Sequence, residues 1–170
     1  MGFTPLEGLV MATRSGSVDP GLLLWLLEHG GLTASELGQV LEHQAGLKGL
    51  SGTSGDFREV LAARNEDADS ALAFDVLVHR LVREIGSMTA SAQGLDLLIF
   101  TGGIGEHSPE VRALVAEDLG FLGVRLADDL NAGATSDADI SGDGAAVRTV
   151  VIEASEASEI ARETSRVISP

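Results

Sequence analysis

Apolar residues recur every three to four positions over residues 68–92, which predicts one long amphipathic helix. Leu72, Val76, Leu81 (or Val82), Ile85 and Met88 fall on its expected buried side. An earlier apolar stretch opens with Asp19 as cap and Pro20 at the first helical position, and runs to about His29 before Gly30-Gly31 ends it. Thr33-Ala34-Ser35-Glu36 has the form of a capping box and opens a second helix that stops at Gly46. Ser51-Gly52-Thr53-Ser54-Gly55 reads as a flexible loop, after which Asp56 begins a short helix to about Arg64. The continuous apolar run 95–100 predicts a buried strand, and residues 109–119 a helix capped by Ser108. Residues 121–126 and 148–152 read as short strands and 155–167 as a closing helix. Between the last two strands, residues 132–144 are rich in Ala, Gly, Ser and Asp and read as a mobile loop.

This order is α/β in character, with a few-stranded sheet and several packed helices. Such a small sheet leaves much helical apolar surface uncovered. The expectation is therefore a single incomplete domain over residues 1–170.

Composition narrows the partners. The net charge of −15 excludes nucleic acid and anionic membranes, since no basic stripe exists to neutralise phosphates. Only 11 residues are Lys or Arg, so an anionic substrate would depend on a few placed arginines or a metal. There is no cysteine, hence no disulfide framework and no thiolate chemistry. No apolar run approaches the ~20 residues that span a bilayer. Met1-Gly2-Phe3 lacks the charged start of a secretory leader, so a cytoplasmic location is expected.

Chemistry is concentrated in Thr101-Gly102-Gly103-Ile104-Gly105-Glu106-His107-Ser108, directly after the strand 95–100. Glycines at the carboxyl end of a strand let a ligand approach the backbone, and free amides there favour phosphate oxygens. The segment lacks the Gly-Lys-Ser/Thr of a P-loop and the third glycine of a dinucleotide fingerprint, so a plain tight connection is the competing reading. Asp56, followed by Phe57, Arg58 and Glu59, reads as a capping box, with Glu59 reaching back, and Asp56 with Arg58 also reads as a ribose and base contact presented by the glycine loop; the two readings are compatible. Glu156 either favours the positive start of its helix or anchors Mg2+ beside a phosphate site. Arg14, alone in an uncharged stretch, is either a surface residue or the guanidinium that stabilises a transferred phosphoryl group. His29, His43 and His79 lie on separate helices without ligand spacing, and only His107 adjoins the glycine segment.

Together these residues resemble the acetate kinase family. The resemblance is carried by Met1-Gly2-Phe3-Thr4-Pro5-Leu6-Glu7-Gly8-Leu9, Thr13-Arg14-Ser15-Gly16, Ser51 to Arg58, Phe100 to Ser108 and Ile160 to Thr164. It implies a partial C-terminal domain of the actin-like/sugar-kinase ATPase fold. It also implies reversible transfer of the ATP γ-phosphoryl group to acetate, giving acetyl phosphate and ADP, with Mg2+ and a homodimeric assembly. On matched positions, Arg14 would be the active-site arginine. Asp56, Phe57 and Arg58 would hold adenosine; Gly102, Gly103, Ile104, Gly105 and His107 would border the nucleotide; Glu156 would bind Mg2+. His107 stands where the family commonly has Asn, and Glu153-Ala154-Ser155 replaces Pro-Thr-Asn before the metal glutamate. The family's N-terminal half, with its catalytic aspartate and histidines, is expected to be missing. The alternatives are a propionate or butyrate kinase, a non-catalytic nucleotide-binding or dimerisation fragment, and the product of a truncated gene or an incorrect start site with no independent function.

Overall fold

The computed structural model describes residues 2–135 and 137–168. They form two compact units that divide between Gln93 and Gly94.

The first unit is built from helices. In α1 (Pro20–His29), the Asp19 carboxylate accepts from the Gly21 amide at 2.7 Å. Its apolar side chains are largely uncovered, with Leu24 62% and Trp25 55% exposed. In α2 (Ala34–His43) both arms of the capping box form: the Glu36 amide donates to Thr33 Oγ1, and the Thr33 amide donates to Glu36 Oε2. The second helix ends at His43 rather than running to Gly46, where a separate helix α3 (Gly46–Ser51) starts. No side chain caps α3; its Leu47 and Lys48 amides donate instead to the carbonyls of Met11 and Ala12. A helix capped by a distant backbone segment leaves no local mark in the sequence.

After α4 (Phe57–Ala63) comes α5 (Ala68–Ala92), closed by Gln93 in a left-handed conformation. The extent of α5 agrees with its periodicity, but its inner face does not. Ser70, Ala73, Phe74, Leu77 and Val78 are buried, whereas Leu72 and Met88 are 52% and 59% exposed. The small side chains at 70 and 73 lie on the face that packs on α3 and α4, and Phe74 stacks on Phe57 there. Close packing thus uses small residues that a hydrophobic pattern does not score.

The second unit carries the sheet: β1 (Leu97–Phe100), β2 (Ala138–Asp139) and β3 (Arg148–Val151), in the order β1-β3-β2. β1 and β3 are parallel, with Phe100 opposite Val151, and β2 runs antiparallel to β3. Between β1 and β2 lie α6 (Gly102–His107), α7 (Pro109–Asp118), a 3-10 turn (Gly120–Leu122) and α8 (Asp128–Gly133). The strand expected over 121–126 is absent: the Gly123 amide closes the turn on Gly120, leaving only isolated bridges at Val124 and Leu126. The third strand is β2, inside the stretch that reads as a mobile loop. Val111, Val115, Leu119, Ile140, Val147 and Val151 form the core, each at most 1% exposed. Helix α9 (Glu156–Ile168) closes the unit and buries none of its residues.

Candidate functional site

In the first unit, Arg14 sits in a turn whose Met11 amide donates to the Arg14 carbonyl at 3.1 Å. The junction of α2 and α3 clamps this turn. The Ser15 amide donates to Leu41 O and the Ala45 amide to Thr13 O, each at 3.1 Å, and Thr13 Oγ1 donates to Glu42 O at 2.8 Å. Gly46, at φ +65°, allows the close approach, since a Cβ there would stand 2.7 Å from Arg14 O. The backbone of Arg14 is therefore fixed. Its side chain is half-buried and forms no ion pair among the described residues.

The loop before α4 is organised by Ser51, which is 3% exposed. Its hydroxyl donates to Ser54 O at 3.0 Å and accepts from the Thr53 and Ser54 amides at 3.3 Å. Asp56 then caps α4: its Oδ1 accepts from the Arg58 amide at 2.9 Å and from Arg58 Nε at 3.1 Å, while Arg58 Nη2 meets Oδ2 at 2.6 Å. The hydrogen bonds from the Arg58 guanidinium and amide hold the Asp56 carboxyl at about 2, below its ordinary 3.8. The second arm of the expected capping box is replaced: the Asp56 amide donates to Ser54 Oγ at 3.0 Å rather than to Glu59. Arg58 is exposed, and Phe57 lies against Phe74 with ring centroids 6.1 Å apart. The cap leaves a charged pair, Asp56 with Arg58, at the surface.

In the second unit, the glycine-rich stretch is a short helix, α6, rather than a plain turn. Its three glycines differ. Gly105 packs on the strand end, where a Cβ would lie 3.3 Å from the Phe100 carbonyl carbon. Gly102 adopts φ +71°, which an L side chain rarely takes, whereas a Cβ on Gly103 would meet nothing within 4 Å. Internal packing therefore explains Gly105 and backbone geometry explains Gly102, but neither explains Gly103. His107 is exposed in the last turn.

The ladder between β1 and β3 extends to the Ile152 amide, which donates to Phe100 O at 2.9 Å. The glycine helix and the connection to Glu156 consequently leave the sheet at the same edge, the carboxyl ends of two parallel strands. Glu156 is exposed in the first turn of α9. No cluster of three or more metal-ligating side chains occurs among the described residues. One free carboxylate fits a Mg2+ ion that arrives with phosphate oxygens and keeps several waters; it does not fit a resident metal.

Two side chains beyond those the sequence singles out, Glu106 and Arg112, shape this edge. Glu106 is 9% exposed, and its Oε1 accepts from the Gly102 amide at 2.7 Å and the Ala154 amide at 2.9 Å. Arg112 is 1% exposed and donates to Gly105 O and Glu106 O at 2.8 Å and to Asn131 Oδ1 and O at 2.7 Å. Burial lowers the Arg112 pKa, yet a guanidinium remains charged, and its partners among the described residues are neutral oxygens. The signal available for Arg112 was a charge on the apolar face of α7, beside Val111 and Val115.

Two parallel strands beside an antiparallel third, with connections gathered at the carboxyl edge of the parallel pair, make the second unit part of an α/β domain, and likeness to solved acetate kinases gives the fold as the actin-like/sugar-kinase ATPase kind. The sequence profile of the acetokinase family matches residues 1–162, and the chain belongs to that family. It is 51% identical over 157 residues to an acetate kinase of a Synechococcus species, covering 92% of this chain and 39% of that relative. Among solved structures, Porphyromonas gingivalis acetate kinase superposes with a TM-score of 0.91 at 35% identity, over 99% of this chain and 43% of that one. A propionate kinase from Francisella tularensis superposes with a TM-score of 0.87, also at 35% identity, over 96% of this chain and 42% of that one. The chain thus spans about two-fifths of the length of the relatives it matches.

Proposed function

We propose that this chain supplies the nucleotide side of an ATP-dependent kinase that transfers the γ-phosphoryl group to acetate, giving acetyl phosphate and ADP reversibly. The observation that carries the reading is Gly103, a bare backbone position with open space around it at the carboxyl edge of β1 and β3. The inner phosphates approach the backbone of Gly103 and its neighbours Gly102, Ile104 and Gly105, with His107 at the rim; the Gly102 amide itself is held by Glu106. Asp56, Phe57 and Arg58 hold adenosine: the ring supplies an apolar surface and the charged pair hydrogen-bonds the sugar and base. Arg14 faces the transferred group, where a planar guanidinium spreads over phosphoryl oxygens. Glu156, with phosphate oxygens and water, holds Mg2+; the ion, when bound, neutralises charge on those oxygens.

Calorimetric titration of the chain with MgADP tests this, with Asp56→Asn as the comparison. Asparagine caps a helix about as well as aspartate, so the substitution removes charge while keeping the fold. Saturable binding weakened by Asp56→Asn supports the proposal; a folded chain that binds nothing refutes it. Whether transfer proceeds without further polypeptide is read from acetyl phosphate formation by the same sample, and its absence beside intact binding favours a non-catalytic nucleotide-binding fragment. Likeness to a propionate kinase as well as acetate kinases keeps propionate as the second acceptor to assay. A cytoplasmic homodimer belongs to the same reading. The exposed Leu24 and Trp25 of α1 and Ile160 and Val167 of α9 favour association, and sedimentation decides it.

A further inference from the structure

Past the last bond of the β1–β3 ladder, the two chains part. One turns into α6 and the other runs through Glu153 and Ala154 toward Glu156. Glu106 spans that gap with one oxygen, accepting at 2.7 Å from the Gly102 amide at the start of α6 and at 2.9 Å from the Ala154 amide across it. The side chain is nearly buried, at 9% exposure, and bonds of this length to a carboxylate are of the stronger, charge-assisted type. The far end of α6 is also fixed. The Glu106 carbonyl and the Gly105 carbonyl both accept from Arg112 Nη1 at 2.8 Å, and Asn131 holds the rest of that guanidinium. Asn131 Nδ2 in turn donates to Pro109 O at 2.9 Å, so the cation is anchored on α7 and α8 together. The helix α6 is thus held from both ends. The carboxylate that holds its first amide also holds the backbone two residues before Glu156.

We propose that Glu106 is a positioning residue, which couples the glycine segment to the connection bearing Glu156 so that phosphate and metal ligation are set together. The inference rests on the nucleotide reading above for its functional half and on the two hydrogen bonds for its structural half. Glu106 contacts neither phosphate nor metal; it acts through two backbone amides. An acceptor oxygen at the right reach is what the role requires, so glutamine preserves it, while aspartate, one methylene shorter, cannot reach both amides. Alanine removes the acceptor outright.

The test uses the whole chain and two readouts. Amide hydrogen exchange by NMR follows Gly102 and Ala154, with the buried Val115 amide of α7 as the internal reference. Glu106→Ala and Glu106→Asp are expected to speed exchange at both positions about tenfold or more while Val115 is unmoved, and Glu106→Gln is expected to keep both protected. Calorimetry then measures ADP affinity with and without Mg2+. The Ala and Asp variants lose most of the gain in affinity that Mg2+ confers, and the Gln variant retains it. Unchanged exchange in both Ala and Asp, or exchange in Gln as fast as in Ala, overturns the bridge itself. Opened amides with an undiminished Mg2+ gain overturn the coupling. A native chain that binds no ADP at all overturns the nucleotide reading and the coupling with it, and the exchange data still judge the bridge separately.

Discussion

Gly55 lies directly against Ala12: a Cβ built on Gly55 would stand 2.7 Å from the Ala12 carbonyl oxygen and 3.1 Å from its carbonyl carbon. That contact joins the loop ending at Asp56 to the turn bearing Arg14. Two segments more than forty positions apart in sequence are thereby set against each other within the first unit. The same Ala12 carbonyl accepts from the Lys48 amide at 3.0 Å, so it cannot retreat without uncapping α3.

Gly55→Ala is therefore expected to destabilise the first unit by about 1–3 kcal/mol, the usual cost of overpacking a close contact. It should also weaken MgADP binding, because the Asp56 loop must shift. Urea unfolding followed by circular dichroism and the calorimetric titration check the two effects. A variant as stable as the parent would show that the turn and loop move freely.

Arg112→Met removes the cation that closes α6 and leaves three backbone carbonyls and the Asn131 side-chain oxygen without their donor. Each buried acceptor stranded in this way carries a penalty, and the summed loss is expected at about 3 kcal/mol or more. The second unit should unfold at lower urea, and the chemical shifts of Gly105 and Glu106 should move further than those of β2. Arg112→Lys should recover little, since one ammonium cannot reproduce four directed bonds.

Acid should weaken the fold in a definite window. Asp139 accepts from the Ser141 hydroxyl at 2.6 Å, the Ser141 amide at 3.0 Å and Arg148 Nε at 2.8 Å. These partners, the Ser141 bonds first, hold its carboxyl at about 2, below the ordinary 3.8. A folded-state pKa below the unfolded one gives stability that is fully present above the unfolded value and is lost as pH falls through the folded value. Stability should therefore decline as pH falls below about 5 toward 2. Asp139→Asn should flatten that slope, with urea midpoints measured across the range as the check. Asp56, held low by Arg58, adds to the same window.

Much of this architecture was legible, and the legible parts share a cause. Asp19-Pro20, Thr33 with Glu36, and Ser108-Pro109 declare helix starts through side chains that satisfy their own backbone, and each lies at a helix start in the structure. What stayed hidden depends on distant groups. The first turn of α3 is capped by carbonyls of residues 11 and 12, and the ends of α6, a helix with three glycines, are bonded by Glu106 and Arg112. The inner face of α5 departs from its apolar periodicity because the small Ser70 and Ala73 are buried there. The residues of the candidate site were nameable from sequence as a resemblance to acetate kinases. The bridge from Glu106 to Ala154 was not, since it spans 48 positions and joins a side chain to a backbone amide.

If the backbone at Gly102 to Gly105 receives the nucleotide phosphates, Gly103→Ala obstructs them without disturbing the fold. A Cβ there meets nothing within 4 Å, and Gly103 lies within α6 at an ordinary, negative φ. The substitution should leave thermal stability unchanged or raise it by about 0.4–1 kcal/mol through the unfolded chain. The measurement is MgADP affinity of the parent and the Gly103→Ala chain, side by side with their melting midpoints. Saturable binding by the parent is expected, weakened about tenfold (roughly 1.4 kcal/mol) in a variant that melts no earlier. Equal affinity in the two chains, or no binding by the folded parent, would contradict it.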